Sequence, residues 1–226
     1  MFSTTFPTAD EVNQAMGRVY GYMGLAVLVS MLVASFVGAD PALVQYFFTG
    51  ITMYIVMFAP LAAVFLIVPL ISSDPPKIVA LLALVGFAAL MGLSMAVFFA
   101  VYTTASIVSA FMGGAVLFGV MSIYGYFTRT DLSHVGQMAT VALIAIIIVS
   151  VINLFIGSTF MQMVISAIAI VIFLALTAYD TQTIREMVSN GESNNGAEVL
   201  GALTLYLDFI NLFINLLSIF GIKNDD

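Results

Sequence analysis

Apolar residues fill this chain in long runs, and polar ones are confined to short breaks between them or to single positions inside them. A helix needs about 20 residues to cross the hydrocarbon core of a bilayer. On that measure the runs predict about seven spans, near 17–37, 48–71, 78–99, 104–126, 137–157, 161–184 and 199–220. The breaks have chemical reasons. Asp40-Pro41 closes the first hairpin, and Ser72-Ser73-Asp74-Pro75-Pro76 cannot continue a helix. Thr128 to Asp131 and Ser189 to Gly196 form polar loops. Pro60 and Pro69 predict kinks within the second span, which membrane helices tolerate. No internal repeat emerges.

Within the seventh run the exceptions are periodic. Gly201, Thr204, Asp208, Asn211, Asn215 and Ser218 are separated by three or four residues, so they line one face of a helix. A polar stripe on an apolar helix cannot face lipid, which predicts that this helix is central, with the others packed around it. The sixth run adds Thr177, Asp180 and Thr181, and the fifth adds Ser150 and Asn153. Amides such as Asn153, Asn211 and Asn215 also fit a role as interhelical fasteners. A carboxylate is different: near the middle of a span it costs at least a few kcal/mol, roughly 2.5–3.5 by insertion scales, so Asp208 and Asp180 are the candidate functional residues.

Composition agrees with this reading. Of the 226 residues, 62% are hydrophobic and 8% charged, against about 45–50% and 25% in soluble domains. The chain is therefore expected to be an all-α polytopic membrane protein: a short cytoplasmic segment over residues 1–16, a single seven-helix domain over 17–221 and a short tail over 222–226. The acidic N-terminus lacks the basic region of a signal peptide, so the first run reads as a retained helix. A net charge of −7 offers no basic surface for nucleic acid. Without cysteine and with one histidine, His134 in a predicted loop, there is no thiolate or His-rich metal site. Arg18, Lys77, Arg129 and Arg185 fall on the side of the N-terminus and only Lys223 on the other. The positive-inside rule then places the N-terminus in the cytoplasm and the C-terminus outside. Small residues in the fourth span (Ser109/Gly113, Ala110/Gly114, Ala115/Gly119) are spaced for close helix packing.

The sixth and seventh spans are antiparallel neighbours, and helix rise permits Asp180 and Asp208 to lie level in the inner half of the bilayer. If they meet, two like charges away from water would titrate as a unit, which is a proton sensor. The deprotonated pair would also be a hard oxygen site for calcium in transit, short of the six to eight oxygens calcium usually takes.

LTAYDTQTI (176–184) followed by LGALTLYLDFINLF (200–213) resembles the signature of the Bax-inhibitor family of membrane proteins, and VYTTASI and MSIYGYFTRTDLS within 101–133 are similar to its bacterial inner-membrane members. The resemblance implies a seven-helix bundle with a central last helix and a pH-dependent calcium leak. In that scheme Asp180 and Asp208 match the family's paired aspartates, with no cofactor and calcium as the permeant ion; the path-lining candidates remain those of the polar faces read above, Thr177, Thr204, Asn211, Asn215 and Asn153. Some members latch the aspartate of the sixth helix with an arginine of the second. This chain has no basic residue between Arg18 and Lys77, which leaves Arg185 as a substitute candidate.

Two enzyme readings are set aside. Intramembrane aspartyl proteases need Gly-x-Gly-Asp at the second acid and a later Pro-Ala-Leu, but Leu205-Tyr206-Leu207-Asp208 and the absence of proline after Pro76 supply neither. Gly92-Leu93-Ser94-Met95 resembles a rhomboid-type serine motif but has no histidine partner within a span. The remaining rivals are a regulator that binds another membrane protein, such as a quality-control protease, and a secondary transporter.

Overall fold

The computed structural model describes residues 7–192 and 194–224. Most of the expected N-terminal segment's first residues, Ser193 of the last polar loop, and residues 225–226 of the tail lie outside them. Among the described residues the chain has helices and no strand, and seven of its helices are long and apolar enough to cross a membrane. The last of these is the most buried: 56% of its apolar window is covered, against 11–33% in the other six.

The chain divides into two compact units. The first comprises Met1–Thr103, Arg185–Tyr206 and Lys223–Asp226. Its helix α1 (Ala9–Gly38) starts earlier than hydropathy predicts because Thr8 and Glu11 form a reciprocal capping box. Residues 9–16 are thus helical. α1 buries Val12, Ala15, Val19, Met23, Ala26, Ser30, Ala34 and Val37, a stripe at intervals of three and four. After it comes α2 (Pro41–Phe47), a short helix that the apolar runs conceal, opened by Asp40 accepting from the Ala42 N–H at 2.8 Å. α3 (Gly50–Ser72) runs through both prolines without a break. The third predicted span is two helices, α4 (Lys77–Met95) and α5 (Val97–Val101).

Pro60 has no N–H, so the carbonyl of Val56 loses its partner one turn back. The hydroxyl of Ser94 on α4 donates to that carbonyl at 2.6 Å, which satisfies it where no water is available. The serine of the rhomboid-like motif is therefore a fastener between helices. Its neighbour Gly92 lies against the backbone of Ser30, leaving no room for a Cβ. Ser30 Oγ also meets the Tyr206 hydroxyl at 2.6 Å and donates to the Ala88 carbonyl at 2.8 Å. One buried node thus pins α1, α4 and the last helix, with Tyr206 and Phe87 both fully buried and edge to face.

At one end of this unit Pro7 lies near Gly191, Asp74 accepts from the Gly196 N–H at 3.0 Å, and Arg18 holds Glu198 through two hydrogen bonds, Nε to Oε2 at 2.9 Å. Lys77 Nζ lies 5.2 Å from the Tyr22 ring centre at the same end. At the other end Tyr102 bridges Lys223, and the Asn224 N–H donates to the Val101 carbonyl at 2.9 Å. Pro7 and Asn224 therefore lie at opposite ends of these helices, as an odd number of crossings requires.

The second unit comprises Thr104–Ile184 and Leu207–Ile222. It holds α6 (Thr104–Phe127), α7 (Ser133–Ile156), most of α8 (Thr159–Ser189) and the second half of α9 (Asn195–Phe220). His134 belongs to the first turn of α7, exposed, rather than to a loop. Phe111 and Phe118 of α6 stack edge to face on Phe209, ring centres 5.3 and 5.9 Å apart. The close approaches in this unit fall elsewhere than the small residues of α6 predict. Gly113 and Gly114 meet Leu216 and Phe213 at ordinary contact distance, and Gly119 has nothing near it. It is Gly125 that lies against the Ala178 backbone and Gly136 against the Tyr179 ring, each too closely for any side chain.

Candidate functional site: the carboxyl pair of α8 and α9

Those two glycines converge on one turn of α8. Ala178 is held by α6 and Tyr179 by α7, and Thr181 donates to Ser122 of α6 at 3.4 Å. Gln182 accepts from the Leu132 N–H at 2.8 Å and donates to the Thr130 carbonyl at 2.9 Å, which ties the α6–α7 loop to the same turn. Asp180, half-buried, projects from the middle of this clamped segment. α8 continues to Ser189, so the turn sits well inside a helix rather than at its fraying end.

Asp208 comes from α9 within the same unit and is 4% exposed. The carboxyl groups of Asp180 and Asp208 lie within hydrogen-bonding reach of each other. Two carboxylates repel at that separation, whereas a carboxylic acid and a carboxylate share one proton in a charge-assisted bond. Oδ2 of Asp208 is buried and makes no hydrogen bond among the described residues. No third His, Cys, Asp or Glu joins the two carboxyls among the described residues.

The other candidates are distributed along the same helices. Asn211 and Asn215 follow Asp208 on α9, and each donates its amide N–H to the carbonyl one turn back, Leu207 and Asn211, at 2.8 Å. Among the described residues neither amide makes a hydrogen bond to another helix. Thr177 is fully buried beside Asp180 on α8, its hydroxyl on the Phe173 carbonyl. Thr204 bonds the Leu200 carbonyl in the half of α9 that belongs to the first unit. Asn153 is not brought to the pair: its amide closes the α7–α8 turn on Ser158, donating and accepting at 3.2 and 3.3 Å, beside left-handed Gly157. Arg185, just past the expected end of the sixth span at 184, lies within α8 and is half-buried. Two contributors escape a reading of one span at a time. Ser122 is a lone serine in an apolar run, and the pair Gln162 and Ser166, one turn apart on α8, is the signal that a search of that run could have used.

A multi-pass helical membrane protein with an acid pair facing inward is the class these features define. The profile of the family described as "Inhibitor of apoptosis-promoting Bax1" matches residues 12–225, and the chain belongs to that Bax inhibitor family. It is 38% identical to the Inner membrane protein YbhL of Escherichia coli over 229 aligned positions, covering 96% of this chain and 97% of that one. A protein of Deinococcus radiodurans is 35% identical, with 94% and 92% covered. A membrane protein of Streptococcus pyogenes serotype M3 is 36% identical, with 95% and 94% covered.

Proposed function

We propose that the protein is a pH-sensitive calcium leak path gated by Asp180 and Asp208, a non-enzymatic pore in a bacterial inner membrane with its N-terminus in the cytoplasm. What carries the reading is the meeting of the two carboxyls inside an apolar bundle. In the closed state the pair holds one proton and bonds α8 to α9. A second proton replaces a charge-assisted bond by a neutral one, roughly half as strong. The contact loosens, the segments of α8 and α9 that carry the two acids separate, and calcium passes down its gradient.

Two carboxyl groups alone are too few oxygens to hold calcium as a resident ion, which suits a site that an ion crosses. A leak requires weak binding. The clamp on Ala178, Tyr179, Thr181 and Gln182 supports the same view, since it holds the Asp180 side of the pair in place.

The test is purified protein in liposomes loaded with a calcium dye, scanned across pH. Acidification is expected to raise the flux, and Asp180→Asn or Asp208→Asn to flatten that rise by about tenfold, the factor for about 1.4 kcal/mol of bond strength. A profile unchanged in both variants removes the pair from the gate. Binding of a membrane protease that survives both substitutions while no leak is measurable would favour a regulatory role instead.

A further inference from the structure

Beyond Asp208 the polar face of α9 does not stop. Ser166 of α8, fully buried, donates to Ser218 of α9 at 3.2 Å, and Gln162 one turn earlier on α8 reaches Ser166 at 3.5 Å. Between this group and the acid pair lie Asn211 and Asn215. Both spend an amide N–H on their own helix, and no hydrogen bond among the described residues engages either Oδ1. From Asp208 to Ser218 the rise is about 15 Å, roughly half the hydrocarbon thickness of a bilayer. The series runs from the orphaned Oδ2 of Asp208 to the end of α8 and α9 that carries Gly157 and Gly221.

Polar groups at membrane depth that merely fasten helices should use up their hydrogen-bonding capacity on each other. Here each asparagine turns one N–H back onto its own helix, and among the described residues its Oδ1 is left over. Unengaged amide oxygens, continued by a pair of hydroxyls, are what a partly dehydrated hard cation requires.

We propose that Asn211, Asn215, Ser218 and Ser166 form the half of the permeation path between the acid pair and the Gly221 end, with the asparagine Oδ1 atoms as stepping ligands for the cation. The proposal rests on the leak reading above and adds to it the residues that line one half of the route. The other face of α9 is aromatic, with Phe209 and Phe213 turned onto Phe111 of α6, so this helix has one polar side to offer.

The chain has no cysteine, which makes single thiols clean reporters. Ser218→Cys and Asn215→Cys are reconstituted in liposomes and exposed to a small cationic methanethiosulfonate reagent. Both thiols should react, and the fixed positive charge should cut calcium flux by at least about tenfold. Leu212→Cys, fully buried on the same helix, should stay unlabelled. Before labelling, an unfolding midpoint in detergent close to that of the unsubstituted protein certifies folding, loss of flux is read against each variant's own unlabelled flux, and the two ladder positions serve as independent trials. Silence of both ladder thiols, labelling without loss of flux, or equal labelling at Leu212→Cys would overturn the proposal and leave the Ser166–Ser218 bond as packing. Silent thiols with an intact effect of Asp208→Asn sink the ladder alone. Blocking thiols with no effect of Asp208→Asn sink the gate and keep the ladder.

Discussion

Ser94 donates a hydrogen bond to the carbonyl of Val56, across from one helix to the next, because Pro60 cannot. The bond repairs a backbone defect made four residues along the neighbouring span, so its strength is coupled to the proline. Ser94→Ala should destabilise the protein in detergent by about 0.5–1.5 kcal/mol, the range for interhelical bonds of this kind. In a Pro60→Ala background the restored N–H bonds Val56 itself, and the same serine substitution should cost almost nothing. A double-mutant cycle on thermal unfolding reads the difference. Equal costs in both backgrounds would show that Ser94 serves something else.

Gly136 faces the ring of Tyr179, the residue before Asp180. Gly136→Ala should force α7 away from α8 and cost about 1–3 kcal/mol, as overpacking does. Gly119→Ala, with open space around it, should be neutral or slightly stabilising. Comparison of the two unfolding midpoints checks the assignment. If Gly119→Ala proved the more damaging, the close approach would lie where the serine and glycine spacing of α6 suggests.

Asp131 lies in the α6–α7 loop, outside the spans, and accepts from the Ser133 N–H at 2.8 Å. Hydrogen bonds from Ser133 hold its carboxyl below the usual carboxylate range. A native value below the unfolded one means that the start of α7 is supported above the ordinary carboxylate range and loses that support as pH falls through the native value. Exchange of the Ser133 amide, corrected for its intrinsic rate, should speed up with acidification in the native protein. In Asp131→Ala it should be fast at every pH. Identical protection in the two would contradict this.

How much of this was legible beforehand differs by element. Asp180 and Asp208 stood out because a carboxylate in an apolar run is expensive whatever surrounds it, and their meeting was allowed by simple helix rise. The number of spans was equally visible. Span ends were not, because hydropathy marks the thickness of hydrocarbon and not the length of a helix: the box of Thr8 and Glu11 extends α1, and α8 runs on through Gln182 to Ser189. α2 was hidden because seven mostly apolar residues merge with the runs on either side. The duties of Ser94, Gly125, Gly136 and Asn153 depend on what lies opposite in three dimensions. Asn153 in particular reads as a path residue by type and proves to be a turn residue by position.

The central claim is that one proton shared by Asp180 and Asp208 sets the state of the gate. Infrared titration of reconstituted protein, following the carbonyl stretch of protonated carboxyl groups, tests it most directly when calcium flux is recorded on the same samples. The account predicts that a carboxyl band grows over the same pH interval in which flux rises, and that Asp208→Asn abolishes both changes together. A band that titrates in a different interval from the flux, or that survives in both Asp180→Asn and Asp208→Asn, would contradict it.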